Sequence, residues 1–288
     1  MSLSSGHAQR SLPGVIAVFV CAVSSASAAL QAQGGVHAMA ARPLPVAAHY
    51  DDVPRTRVAD RDQPGGGGMR RADAWKVGGL SALAMVLATA DRRGDAWARR
   101  PAVQNSATLD AFSRVGDVSG SVVGMGVGPA LWLLGRARSD SGMAVQGLRT
   151  TEAVFVSGVA ITAIKLLAGR TRPFASADNS PTHWDLLGGF RSDSTRSFAS
   201  GHTAVATAAA VTLAAEWRRQ GARGWSSAGP PLVYALATVT AGSRVRDRQH
   251  WLSDVVSGAA VGVVSALVVR RWHDAHPRNR VDRTFLRR

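Results

Sequence analysis

The feature that most constrains the fold is a series of apolar stretches rich in Ala, Gly and Val. They run from Val77 to Ala90, Ala153 to Ile164, Thr203 to Ala215, Pro231 to Ser243 and Val255 to Val269, and none contains a charge. Few segments alternate apolar and polar residues with period 2. The reading is therefore all-α. Helices are predicted at roughly 74–90, 102–116, 119–136, 142–168, 201–219, 231–243 and 251–271, a bundle of about six to seven helices. Asp91-Arg92-Arg93-Gly94 stops the first, Pro101 begins the second, Gly135-Arg136 closes the third and Gly169 ends the fourth. Gly221 to Pro231 reads as a loop. Residues 170–199 read as a long polar connection, of a length that is often functional.

The 288 residues allow one medium domain with extensions. Residues 1–28 read as a signal peptide, with Arg10, an apolar run from Leu12 to Val23, and a cut after Ala26-Ser27-Ala28. Residues 29–73 read as a flexible linker containing Gly65 to Gly68, residues 74–271 as the helical domain, and residues 272–288 as a basic C-terminal tail. The single cysteine, Cys21, lies in the leader, so the mature chain carries no disulfide and no cysteine metal ligand. The uncharged stretches fall short of the ~20 residues of a membrane span. Two architectures stand: a soluble or peripheral bundle and an integral membrane bundle. A leader places residue 29 outside. The end of the predicted helix 142–168 then faces outward only if 102–116 also spans, or if no helix does.

The net charge is +15 and is nearly all arginine, with Lys76 and Lys165 the only lysines. Such a balance points to an anionic partner. The arginines lie scattered between apolar runs, without an aromatic-lined basic stripe, which argues against nucleic acid.

Three short motifs carry chemistry. Ser243-Arg244 is followed by His250 and Asp254. The i,i+4 spacing of that His and Asp allows a carboxylate to hold one imidazole nitrogen and leave the other free. Lys165 and Arg172 lie seven residues apart, two helical turns, with Pro173 fixing the exit. Ser200-Gly201-His202 opens the predicted helix 201–219, with Ser200 at the N-cap position and Gly201 letting backbone N–H groups approach an anion. Antiparallel helices bring all three motifs to one end of the bundle. Three cations, a helix N-terminus and two histidines together describe a phosphate site with acid–base equipment.

At these residues the chain resembles the type 2 phosphatidic acid phosphatase superfamily, which also includes bacterial nonspecific acid phosphatases and vanadium haloperoxidases. Ten defined positions match: Lys165, Arg172 and Pro173; Ser200, Gly201 and His202; Ser243, Arg244, His250 and Asp254. One position departs, with Ala199 where the family usually has Pro. The resemblance implies a metal- and cofactor-independent phosphoric ester hydrolase. In it His250 is the nucleophile, Asp254 orients it, and His202 protonates the leaving oxygen. Lys165, Arg172, Ser200, Gly201 and Arg244 bind the phosphate. It implies a phosphorylated lipid, a polyprenyl diphosphate or a small phosphoester as substrate and membrane association, while the leader implies export to the bacterial cell envelope as a periplasmic protein, soluble or membrane-associated. Oligomeric state is left open. Two alternatives accompany this reading: a vanadate-dependent haloperoxidase in which His250 is the axial ligand, and a non-catalytic envelope protein that binds anionic lipid.

Overall fold

The computed structural model describes residues 71–221 and 225–286, and every regular element among them is helical. The signal peptide, Cys21 and the linker as far as residue 70 lie outside the described residues. The first helix, α1 (Arg71–Ala88), begins inside the stretch assigned to the linker. The Asp91 punctuation does not end in a loop, as expected. It starts a new short helix, α2 (Asp91–Ala98), followed by the single turn α3 (Pro101–Gln104) with proline at its first position.

The two helices expected at 102–116 and 119–136 form one continuous rod. It comprises α4 (Ala107–Val118), a π-helical turn (Ser119–Val123) and α5 (Gly124–Ala137). Ser106 caps it, its hydroxyl accepting from the Leu109 amide at 3.3 Å. Nothing at 117–118 breaks a helix. The extra residue is absorbed as a π-bulge, a device common at functional sites. After a tight turn, α6 (Ser141–Ala168) runs back against α5, capped by Asp140. Gly135 and Gly147 lie where an added Cβ would stand 2.3 Å and 2.1 Å from backbone nitrogens across the hairpin. Only glycine permits that approach.

The connection 170–199 is less irregular than expected: it folds down through 3₁₀ turns at Pro173–Ala175, Gly188–Phe190 and Asp193–Thr195 and an isolated bridge between Arg170 and Trp184. Gly169 ends α6 with φ of 59°, the left-handed conformation of a helix C-cap. Three long helices complete the bundle: α7 (Gly201–Arg219), α8 (Trp225–Arg246) and α9 (Leu252–Ala275). The expected loop to Pro231 is a correction, because α8 already starts at Trp225 and carries Pro230 and Pro231 inside it. The prolines remove two intrahelical donors but lie close enough to the helix start for the rest of α8 to hold against α7. Within the expected basic tail, α10 (Arg280–Leu286) forms and docks on α5 and α6.

Helix α7 is the central post. Its alanines (Ala206, Ala208, Ala209, Ala210, Ala214) and Val211 form one core cluster with Ala153 and Val154 of α6, Tyr234 and Ala237 of α8, and Val263, Ala266 and Leu267 of α9. Small side chains let backbones close in: a Cβ on Gly262 of α9 would stand 2.4 Å from the carbonyl oxygen of Ala204.

The two ends of the bundle are distinct. At one end lie the end of α6, the starts of α2, α7 and α9, and the end of α8. At the other, Asp73 at the start of α1 pairs with Arg271 near the end of α9, and α10 is held by Arg149, whose guanidinium grips Asp282 at 2.6 and 3.0 Å.

Candidate active site

His250 sits in the loop between α8 and α9 and is almost wholly buried, with 3% of its surface exposed. Its Nδ1 donates to the backbone carbonyl of Ser197 at 2.6 Å. A carbonyl only accepts, so this contact puts the proton on Nδ1 and leaves Nε2 with a bare lone pair. Burial holds the imidazole well below its usual range, and the charges of Lys165, Arg172 and Arg244 push the same way. The ring is thus kept neutral and nucleophilic among three cations.

The direct bond expected between His250 and Asp254 is not the one found. The Asp254 carboxylate stands 3.9 Å from Nδ1. Its Oδ2 instead accepts from the Ser197 hydroxyl at 2.5 Å and the Trp251 amide at 3.0 Å, and its Oδ1 faces the guanidinium of Arg170. The physical reason is position: Asp254 lies in the first turn of α9, where a carboxylate turns back to satisfy free N–H groups. Asp254 is therefore linked to His250 through Ser197.

The expected phosphate ligands surround this ring. Lys165 ends α6, and its Nζ donates to the carbonyl of Arg196 at 2.7 Å. Arg172 follows the Gly169 turn. Asp193 holds its guanidinium through the backbone carbonyl at 3.0 Å and the carboxylate at 3.1 Å, and the Gln249 side chain holds it from the other side. Ser200 is fully buried at the N-cap position of α7, but its side chain does not cap. Its hydroxyl accepts from Thr203 at 2.9 Å, and its amide donates to the Asp254 carbonyl at 3.0 Å. A Cβ on Gly201 would lie 3.6 Å from Cε of Lys165, which places the α7 N-terminus beside that cation. Ser243 is buried and donates to the Thr240 carbonyl at 2.8 Å.

His202 and Arg244 share a partner that sequence reasoning missed. Asp117, two residues before the π-bulge, lies 3.3 Å from Nε2 of His202 and 2.9 Å from Arg244. Burial and the Arg244 charge lower the His202 imidazole below its ordinary value, while Asp117 pulls it back up. Ser197, Arg170, Gln249 and Asp193 were missed as well. Each acts across a long sequence separation, and no short motif announces it.

An all-α bundle that collects a neutral buried imidazole, a second histidine and three cations at one end has the charge and the acid–base groups that a phosphate site needs. Residues 146–278 match the family model of the PAP2 superfamily, and all ten signature positions fall inside the match. The chain is also similar to Lipid A 1-phosphatase of Porphyromonas gingivalis, with 36% identity over 109 residues, 37% of this chain and 19% of that protein. It thus aligns with about a fifth of that relative's length. No solved structure matches the chain.

Proposed function

We propose that the chain is a phosphatase of lipid phosphates that works through a phosphohistidine on His250. The observation that carries this reading is the His250 ring: buried, neutral, with Nδ1 committed to the Ser197 carbonyl and Nε2 bare amid the charges of Lys165, Arg172 and Arg244. In the first step Nε2 attacks phosphorus and the bond to the ester oxygen breaks, with His202 giving that oxygen its proton. In the second step His202 takes a proton from water, and the resulting hydroxide cleaves the P–N bond. The three cations and the N–H groups at the α7 start stabilise the charge on the equatorial oxygens.

The lipid part of the reading rests on the outer surface. The rod 107–137 and α6 are each long and apolar enough to cross a membrane, as is α9. Only 22% of the most apolar window of the rod, and of α6, is buried in the bundle. Val122, Val123, Met125, Leu133, Leu134, Phe155 and Val159 are exposed, and exposed apolar residues gathered on the two adjacent elements that are long enough to cross a membrane favour a lipid contact. At the site end the surface continues through Leu167 onto Leu186, Leu187 and Phe190 of the folded-down connection, where the Leu187 amide donates to the Leu167 carbonyl at 2.9 Å. An acyl chain can lie against that rim while its phosphate reaches His250. The relative's name makes a phosphorylated glycolipid a substrate class to test beside phosphatidate.

The test is phosphate release by the purified, detergent-solubilised chain from phosphatidate, from a glycolipid 1-phosphate and from p-nitrophenyl phosphate. A phosphatase of lipid phosphates releases phosphate from at least one lipid with higher kcat/KM than from the soluble ester, is inhibited by vanadate, and remains with membranes after a high-salt wash. A chain that releases phosphate only from the soluble ester and washes off the membrane overturns the lipid reading. Bromide oxidation that needs added vanadate overturns the phosphatase reading altogether.

A further inference from the structure

We propose that Arg170 and Asp91 are positioning residues that set His250 through a buried ionic chain; the proposal rests on the phosphatase reading above. Neither belongs to the ten-position signature, and Asp91 lies outside the matched stretch 146–278. Both are buried, with side chains 5% and 0% exposed. The Arg170 guanidinium has five N–H donors, and all five are used. Its Nε and one Nη2 hydrogen reach the Pro181 carbonyl at 3.0 and 2.9 Å, and the other Nη2 hydrogen reaches Asp91 at 2.8 Å. Its Nη1 reaches the Ser253 hydroxyl at 2.8 Å and the Asp254 carboxylate. The plane lies over Trp184, 4.9 Å from the ring centre, and near Trp251, at 5.6 Å. With no donor left for a substrate oxygen, Arg170 cannot be a further phosphate ligand. Its work is to fix Asp254.

The chain of contacts then runs unbroken to the nucleophile. Arg170 holds Oδ1 of Asp254, whose Oδ2 holds the Ser197 hydroxyl, and the Ser197 carbonyl holds Nδ1 of His250. Asp91 closes the other end. It accepts from the Ser253 amide at 2.9 Å and hydroxyl at 2.7 Å, so it caps α9 from a different helix while pairing with Arg170. The start of α9, the segment around Ser197 and α2 are thus locked together. The chemical consequence is a fixed tautomer: if Asp254 turns away, Ser197 is freed, and Nδ1 loses the carbonyl that keeps its proton in place.

The experiment compares wild type with Arg170→Lys, which keeps the charge but not the fork, and with Asp91→Asn, which keeps the shape but not the charge. Thermal unfolding, kcat and KM are measured on the full chain in detergent with the best substrate found above. Both variants are expected to lose about 10- to 100-fold in kcat with KM within about twofold, as outer-shell changes typically do. Asp91→Asn combined with Ser197→Ala should cost little more than the worse single change, because both act on one geometry. Unchanged kcat in folded Asp91→Asn protein overturns the proposal, as does a rise in KM alone or a multiplicative double-variant loss. Should Arg170→Lys fail to fold, Asp91→Asn decides. Inactive wild type, or active His250→Ala, refutes the underlying phosphatase reading instead.

Discussion

At the residue scale the two histidines are distinguished by their surroundings. In the proposed mechanism His250→Ala removes the attacking atom, so turnover should vanish while the helical circular dichroism spectrum stays unchanged; normal phosphate release from that variant would exclude a phosphohistidine. His202→Ala should lose most on alkyl phosphates and least on p-nitrophenyl phosphate, whose leaving oxygen needs no proton. Equal losses on both would contradict an acid role. Both imidazoles are depressed by burial and nearby cations, so the sign of the pH dependence follows. His250 stays neutral to below its ordinary 6.5, which moves the acid limb of kcat/KM to lower pH. His202 must be protonated to act as acid, and its lowered value brings the basic limb down as well. The maximum is expected on the acid side of neutrality. For stability the unfolded chain takes up protons first as pH falls past about 6.5, so these two groups cost nothing above that pH and destabilise progressively below it. Asp117 faces both His202 and Arg244 and raises the His202 pKa; Asp117→Asn should lower kcat on alkyl phosphates and leave KM equal or lower, read from initial rates. The candidate phosphate ligands and histidines could be picked out because phosphate chemistry asks for fixed residue types at fixed short spacings. Arg170 stood unread between Lys165 and Arg172, and Asp91 was taken for a helix stop, because their meaning lies in contacts 79 and 84 residues away.

At the element scale the sequence pattern predicted helix type well and boundaries less well. The uncharged cores of α1, α6, α7 and α9 set their periodicity. The ends depended on partners that a local reading cannot see. Helix α10 exists because Asp282 finds Arg149 and the Leu286 carbonyl finds Arg136 at 2.9 Å, not because its own seven residues favour a helix. The π-bulge at 119–123 sits where the rod passes the site: a Cβ on Gly120 would lie 2.5 Å from Cγ2 of Thr240 and 2.9 Å from Cβ of His202. The α7–α9 crossing gives the sharpest packing test. Gly262→Ala forces a methyl against the Ala204 carbonyl and should destabilise by about 1–3 kcal/mol, the usual cost of overpacking. Gly126→Ala, on the exposed face of α5 with nothing within 4 Å, should be neutral or slightly stabilising. Unfolding midpoints of the two variants measured side by side check both; equal shifts would mean the crossing is looser than drawn.

At the scale of the whole molecule the order of helices fixes which ends share a side. Asp73 at the start of α1 pairs with Arg271 near the end of α9, and Ser253 at the start of α9 meets Asp91 just past the end of α1. Helix α1 therefore traverses the bundle, and residue 71 stands at the end opposite His250. If the bundle spans the membrane, the segment before α1 and the candidate active site lie on opposite faces. A leader that delivers residue 29 to the outside then puts His250 inside. A periplasmic site requires residue 71 to remain in the cytoplasm, or the bundle not to span at all. Single cysteines in a Cys21→Ser background resolve this. Arg71→Cys and Leu186→Cys are both exposed positions at opposite ends, and a membrane-impermeant thiol reagent applied to sealed spheroplasts should label one and not the other. Labelling of Leu186→Cys alone places the phosphatase site outside; labelling of Arg71→Cys alone places it in the cytoplasm. Labelling of both from one side would show that the apolar face of α5 and α6 rests on the bilayer without crossing it.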